Sequence, residues 1–126
     1  VVARKPEATA ESKVVDESIP DGWYELDIGP KTIERYTAAI RGASTVVWNG
    51  PLGKFGDEPF HRGTESLIRA LVESDAVTVV GGGESGAAVA QFDLVDQIDH
   101  VSTGGGAFLE YLEKGSLPAL SVIDEK

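Results

Sequence analysis

The chain has 126 residues, 41% hydrophobic and 25% charged, enough for one compact domain with its own apolar core. Its 21 acidic residues against 11 basic ones give a net charge of −10, a field that opposes nucleic acid and anionic lipid, so neither is an expected partner. There is no cysteine, which excludes disulfides and thiolate metal sites, and no apolar run long enough to cross a membrane as a helix.

Val1–Ala3 reads as the end of a buried strand, and Arg4–Ser12 as a polar stretch of turn formers. Val14–Val15 follows as a short strand or extended segment, then Pro20-Asp21-Gly22 as a turn before Trp23–Ile28. Gly29-Pro30 predicts a helix start, because proline at the first helical position has no N–H to lose. Ile33, Tyr36 and Ile40 mark one face of that helix, which is expected to end at Gly42 as a C′ glycine. Thr45–Trp48 predicts a buried strand, with Trp48 in the core. Asn49–Pro59, with three glycines and two prolines, predicts a loop.

Thr64 is expected to cap a helix whose inner face carries Leu67, Ile68, Leu71 and Val72. Ala76–Val80 predicts a second buried strand running into Gly81-Gly82-Gly83, and Ala87, Ala88, Val89 and Phe92 a short helix after it. His100–Ser102 predicts a third strand and leads into a second triple glycine, Gly104–Gly106. A helix over Ala107–Glu113 then closes at Gly115. His61 is expected on the surface, His100 against a backbone group, and Trp23 as cover for a loop. Helical crossovers between apolar strands imply a parallel sheet: an α/β, three-layer, Rossmann-like arrangement with helices on both faces.

In such a sheet ligands bind beyond the carboxyl ends of the strands. Three consecutive strands here end in unusual loops: Asn49-Gly-Pro-Leu-Gly, Gly81-Gly-Gly-Glu-Ser and Ser102-Thr-Gly-Gly-Gly. Glycine lets backbone approach an anion, and a following helix adds free N–H groups and about half a positive charge. The expected ligand is therefore phosphate. An acid opening the helix, Glu84, repels a bare phosphate but suits a phosphate-bound Mg²⁺, the alternative being that it complements the helix N-terminal dipole. Gly81, Gly83 and Gly86 also satisfy Gly-x-Gly-x-x-Gly, a dinucleotide fingerprint, but the next strand ends in Ser102-Thr103 rather than in an acid for a ribose. No Gly-x-x-x-x-Gly-Lys-Ser/Thr is present.

Four stretches taken together resemble phosphoglycerate kinase: Leu26-Asp-Ile-Gly-Pro-Lys, Val47-Trp-Asn-Gly-Pro-Leu-Gly, Val80-Gly-Gly-Gly-Glu-Ser and His100-Val-Ser-Thr-Gly-Gly-Gly-Ala. They come in that family's order and cover most of residues 23–115. The resemblance implies the latter half of a C-terminal nucleotide-binding domain over residues 1–116. Residues 117–126 would then be a tail returning to an N-terminal domain outside this chain. It implies reversible phosphoryl transfer between 1,3-bisphosphoglycerate and ADP, giving 3-phosphoglycerate and ATP, in the glycolysis of the cytoplasm. Mg²⁺ takes part, and no covalent enzyme intermediate forms.

On this resemblance Gly82, Gly83, Gly104 and Gly105 present N–H groups to the phosphates and the moving phosphoryl. Asn49 and Ser85 contact phosphate oxygens, Glu84 holds the metal, and Leu26 lines the adenine pocket. Three positions depart from the family pattern: Gly56 stands where a ribose-binding glutamate is usual, leaving Asp57 or Glu58 to reach instead. Glu25 replaces a glycine and Lys54 an apolar residue. The acidic composition, and Glu84 in place of the commoner aspartate, suggest a haloarchaeal version adapted to high salt. The chain begins at Val1 and has no methionine, which implies a processed start or a piece of a longer protein. With the phosphoglycerate site elsewhere, the chain alone is expected to bind nucleotide weakly, to transfer nothing and to self-associate, whereas the parent is monomeric. The competing expectations are a non-catalytic nucleotide-binding or assembly module, and a dinucleotide-dependent oxidoreductase.

Overall fold

The computed structural model describes residues 1–7 and 9–123. Its larger unit is a parallel sheet of β4 (Thr45–Asn49), β5 (Val77–Gly81) and β6 (His100–Ser102), in that spatial order. The intervening helices are α1 (Pro30–Arg41), α2 (Arg62–Val72) and α3 (Gly83–Gln91), with α4 (Gly105–Lys114) after the last strand. This is the expected alternation, with one short 3-10 helix at Val95–Gln97 in addition. Pro30 does open α1, behind Gly29.

The sheet's faces follow from strand alternation. Val46, Trp48 and Val80 point into a core that they share with Ile40 of α1, Ile68 and Leu71 of α2, and Ala88 and Val89 of α3. Ile68, Val80, Ala88 and Val89 are completely buried. Val47 and Val77 point the other way and are 47% and 54% exposed. At the carboxyl end of that second face, Phe108 of α4 lies against Gly81. The expectation of buried strands therefore holds for one face. Among the described residues, β4 is hydrogen-bonded on one side only, and its residues alternate between exposed and half-buried.

A second, smaller unit was not foreseen as a sheet. β1 (Val2–Ala3) pairs antiparallel with both β2 (Ser12–Lys13) and β3 (Tyr24–Glu25). Ala3 and Leu26 pack with Phe60 beneath it, and Trp23 is flanked by Arg4 and Lys13, whose cationic groups lie 4.6 and 4.3 Å from its ring. The expected strand at Val14–Val15 falls two residues earlier, at β2.

Three local expectations are corrected. Gly42 does end α1, but at φ −91° in the right-handed region, with its N–H on Ala38 O. No left-handed glycine is needed because Ala43 already bonds Ile40 O as the chain turns into β4. Thr64 is not the cap of α2: His61 precedes the helix, and the Thr64 hydroxyl, fully buried, donates to Leu52 O. His61 is not a surface residue either. Its side chain is 15% exposed, set between Glu58 and Glu65 with its ring 5.9 Å from that of Phe92. Gly115 does close α4, at φ +67°. Of the tail, Leu117–Ile123 forms consecutive turns with exposed Leu120, Val122 and Ile123; residues 124–126 lie outside the described residues.

Candidate functional site

Parallel pairing sets Asn49 beside Gly81 and Gly81 beside Ser102, so the three loops leave the sheet at one level. From there the strand turns into α3. Gly82, at φ +96°, makes this turn in a conformation side chains rarely adopt, and its N–H extends the ladder to Ser102 O at 2.9 Å. Gly86 N–H bonds Gly82 O, which leaves the amides of Gly83, Glu84 and Ser85 at helical positions without an intrahelical acceptor. α4 begins similarly. Gly104 N–H lies 3.3 Å from Ser102 Oγ and Ala107 N–H bonds Gly104 O, leaving the first-turn amides of Gly105 and Gly106.

Two of the four glycines expected to present N–H groups thus have them engaged. Gly82 continues the β-ladder and Gly104 bonds the preceding serine, while Gly83 and Gly105 occupy first-turn positions. Ser85 lies in the first turn of α3. Its side chain is 1% exposed, and its hydroxyl accepts the Gly50 N–H at 2.7 Å. The hydroxyl ties the Asn49 loop to α3 through Gly50. The Asn49 carboxamide lies over the two glycines that precede α3. Its Nδ2 would stand 3.1 Å from a β-carbon on Gly81 and 3.3 Å from one on Gly82.

Glu84 is exposed on the first turn of α3. Among the described residues, no group of three or more His, Asp or Glu side chains gathers to hold a metal. A single carboxylate fits an ion that takes most of its ligands from phosphates and water, as Mg²⁺ does. It does not fit a structural metal held by protein alone.

The loop that starts at Asn49 reaches a second feature. A groove of about 250 Å³ is lined by Glu25, Leu26, Asp27, Ile28, Pro51, Leu52 and Gly53. Leu26 is 9% exposed and belongs to the small core, so it forms a wall here with little surface of its own. Beyond it, Lys54 bonds Pro6 O and pairs with Asp57, whereas Glu58 is 86% exposed. Of the two acids after Gly56, Asp57 is engaged by Lys54.

Sequence reasoning assigned no role to Asp27. It is 2% exposed, and its carboxylate accepts the N–H groups of Ile28 and Gly63, both at 2.8 Å. It joins the end of β3 to the first turn of α2, and the carbons of Gly53 and Gly63 close around it so tightly that neither position has room for a β-carbon. Burial pushes its pKa above the ordinary 3.8, while the bonds from Gly63 and Ile28 pull the other way. The available signal was an acid inside the apolar run Leu26-Asp27-Ile28.

A parallel sheet with glycine turns into two helix N-termini at its carboxyl edge is the architecture of α/β proteins that bind ligands at that edge. Residues 1–115 match the family model for phosphoglycerate kinase. The chain belongs to the phosphoglycerate kinase family. It is 54% identical to phosphoglycerate kinase of Chloroflexus aurantiacus over 129 residues, covering 99% of this chain and 32% of that protein. For the enzyme of Anaeromyxobacter dehalogenans the identity is 53% over 126 residues, again 99% and 32%. The solved phosphoglycerate kinase of Coxiella burnetii matches with a TM-score of 0.88 at 42% identity, over 95% of this chain and 31% of that one. That of Pyrococcus horikoshii matches with a TM-score of 0.70 at 38% identity, over 79% and 24%. The chain spans about a third of the length of the curated relatives it matches. The haloarchaeal expectation gains nothing from these relatives.

Proposed function

We propose that the chain forms part of the nucleotide site of a phosphoglycerate kinase, working in the cytoplasm in glycolysis. The observation that carries this reading is the level carboxyl edge, where the Asn49 carboxamide lies beside two helix N-termini. Family membership supplies the chemistry: phosphoryl transfer between 1,3-bisphosphoglycerate and ADP, giving 3-phosphoglycerate and ATP. Such transfer needs positioning and charge neutralisation more than covalent participation by the protein.

The first-turn amides of Gly83 and Gly105 take phosphate oxygens, and Asn49 donates from its carboxamide. Glu84 holds Mg²⁺, which when bound neutralises charge on the phosphates. Leu26 flanks the adenine in the groove it shares with Pro51–Gly53. Ser85 acts from behind by fixing Gly50. The 3-phosphoglycerate site belongs to the longer protein, in an N-terminal domain, and the tail from Leu117 returns to it.

Titration calorimetry of the chain tests this. Mg·ADP is expected to bind more tightly than metal-free ADP or NAD⁺, and Glu84→Gln is expected to abolish the advantage of Mg²⁺. A coupled assay on the chain alone is expected to show no phosphoglycerate-dependent ATP use. Tighter binding of NAD⁺ than of Mg·ADP would overturn the nucleotide reading in favour of a dinucleotide enzyme. Turnover by the chain alone would overturn the division of the site.

A further inference from the structure

α4 is the least anchored element at the carboxyl edge. It has no buried residue, and Leu109, Tyr111 and Leu112 are exposed. Its main contact with the sheet is with β5, and the geometry of that contact is specific. Gly81 has no side chain, and the Phe108 ring occupies the place a β-carbon would take, far inside van der Waals separation. Ring and side chain at that point exclude one another. Asn49 is the register partner of Gly81, with its Nδ2 3.1 Å from the same point, so ring and carboxamide share the surface of one glycine.

We infer that Phe108 is a positioning residue for this edge. Seated on the bare backbone of Gly81, it confines the Asn49 carboxamide across Gly81 and Gly82. It also sets the separation between the first turns of α3 and α4. The inference rests on the reading of the edge as a phosphate cradle. Two amide-bearing turns act on one ligand only when their spacing is held to a fraction of an ångström. Gly81 is the last residue of β5, which leads through Gly82 into α3, while Phe108 lies on the opening turn of α4. Their contact therefore joins the two turns by the shortest route. Without the ring, the carboxamide has open space on one side and α4 loses its seat on the sheet.

The test uses Phe108→Ala, Phe108→Leu and Gly81→Ala in the 126-residue chain. Two readouts are needed: NMR without ligand and titration with Mg·ADP. Phe108→Ala is expected to shift the Asn49 side-chain NH₂ resonances and to speed exchange at the Gly105 and Gly106 amides, while β5 stays protected. Mg·ADP affinity is expected to fall about tenfold. Phe108→Leu restores most of both, and Gly81→Ala reproduces the defect by displacing the ring. The double variant Gly81→Ala, Phe108→Ala removes the clash, so its loss is smaller than the sum of the single losses. Unchanged Asn49 resonances in Phe108→Ala overturn the inference. Failure of the unaltered chain to bind Mg·ADP counts instead against the phosphate reading, and the ligand-free resonances still decide the role of Phe108. Should Phe108→Ala unfold, the same resonances in Phe108→Leu and Gly81→Ala decide that role in its place.

Discussion

The Ser85 hydroxyl is buried because the Gly50 amide needs an acceptor inside the protein. Ser85→Ala leaves that N–H without its partner and is expected to lower stability by about 1–2 kcal/mol, read as a shift of the urea midpoint. Two aspartates make opposite pH predictions. Asp27 has a raised folded pKa, so the folded state holds its proton at pH values where the unfolded chain has lost it. Stability from this group therefore falls as pH rises through the window above 3.8, then levels off once the folded carboxyl has ionised. Asp99 is held below 3.8 by the Thr78 N–H and hydroxyl, so its contribution is present above that value and is lost as pH falls through the folded pKa. Unfolding midpoints across the acid range check both signs. Asp99→Asn should flatten the acid limb. The stability gap between the unaltered chain and Asp27→Asn should be widest at low pH and narrow upward.

Among the elements, α2 is held by burial, whereas α4 has no buried residue and meets the sheet mainly at β5. Leu67, Ile68 and Leu71 lie on the inner face of α2, and Ile68 is completely buried. Ile68→Ala is expected to destabilise by about 2–5 kcal/mol, measured by denaturant unfolding. The Glu65–Arg69 pair on the outer face, at 2.8 Å, adds only about 0.3–0.5 kcal/mol, because solvent screens it. The inner stripe of α2 was legible because Leu67, Ile68, Leu71 and Val72 fall on one face across its last two turns. Its start was not: Thr64 has the chemistry of a cap, but a backbone carbonyl at Leu52, distant in sequence, took its hydroxyl. The small sheet was illegible for another reason. Strands of two residues carry no period, and only pairing of β1 with β2 and β3 defines them.

For the whole molecule, the largest consequence is the face the helices leave bare. Val47 and Val77 are exposed there, beside the unpaired edge of β4. Bare apolar sheet next to a free edge favours association. The isolated chain is therefore expected to self-associate, with a sedimentation coefficient that rises with concentration; Val47→Lys together with Val77→Lys should hold it monomeric. Sedimentation as a monomer at every concentration would count against this. The same net charge of −10 opposes close approach, so association should strengthen as salt screens it.

The sequence by itself determined the order of helices and parallel strands, the loops Asn49–Pro59, Gly81–Ser85 and Ser102–Gly106, and the family to which they belong. Those features rest on local chemistry: apolar period, proline and glycine at turns, and motifs contiguous along the chain. Only the tertiary structure decided which groups of those loops are free. Gly82 and Gly104 look equivalent to Gly83 and Gly105 in sequence, yet their amides are engaged, by Ser102 O of the neighbouring strand for Gly82 and by the Ser102 hydroxyl two residues back for Gly104. The Ser85 hydroxyl accepts its N–H from Gly50, 35 residues away. Asp27 lies within a motif that assigns it no role and Phe108 just beyond one, and each acquires its place from glycines distant in the chain, Gly53 and Gly63 for one and Gly81 for the other. Hydrogen-bond partners and excluded volume are properties of neighbours in space, and no spacing along one strand or helix records them.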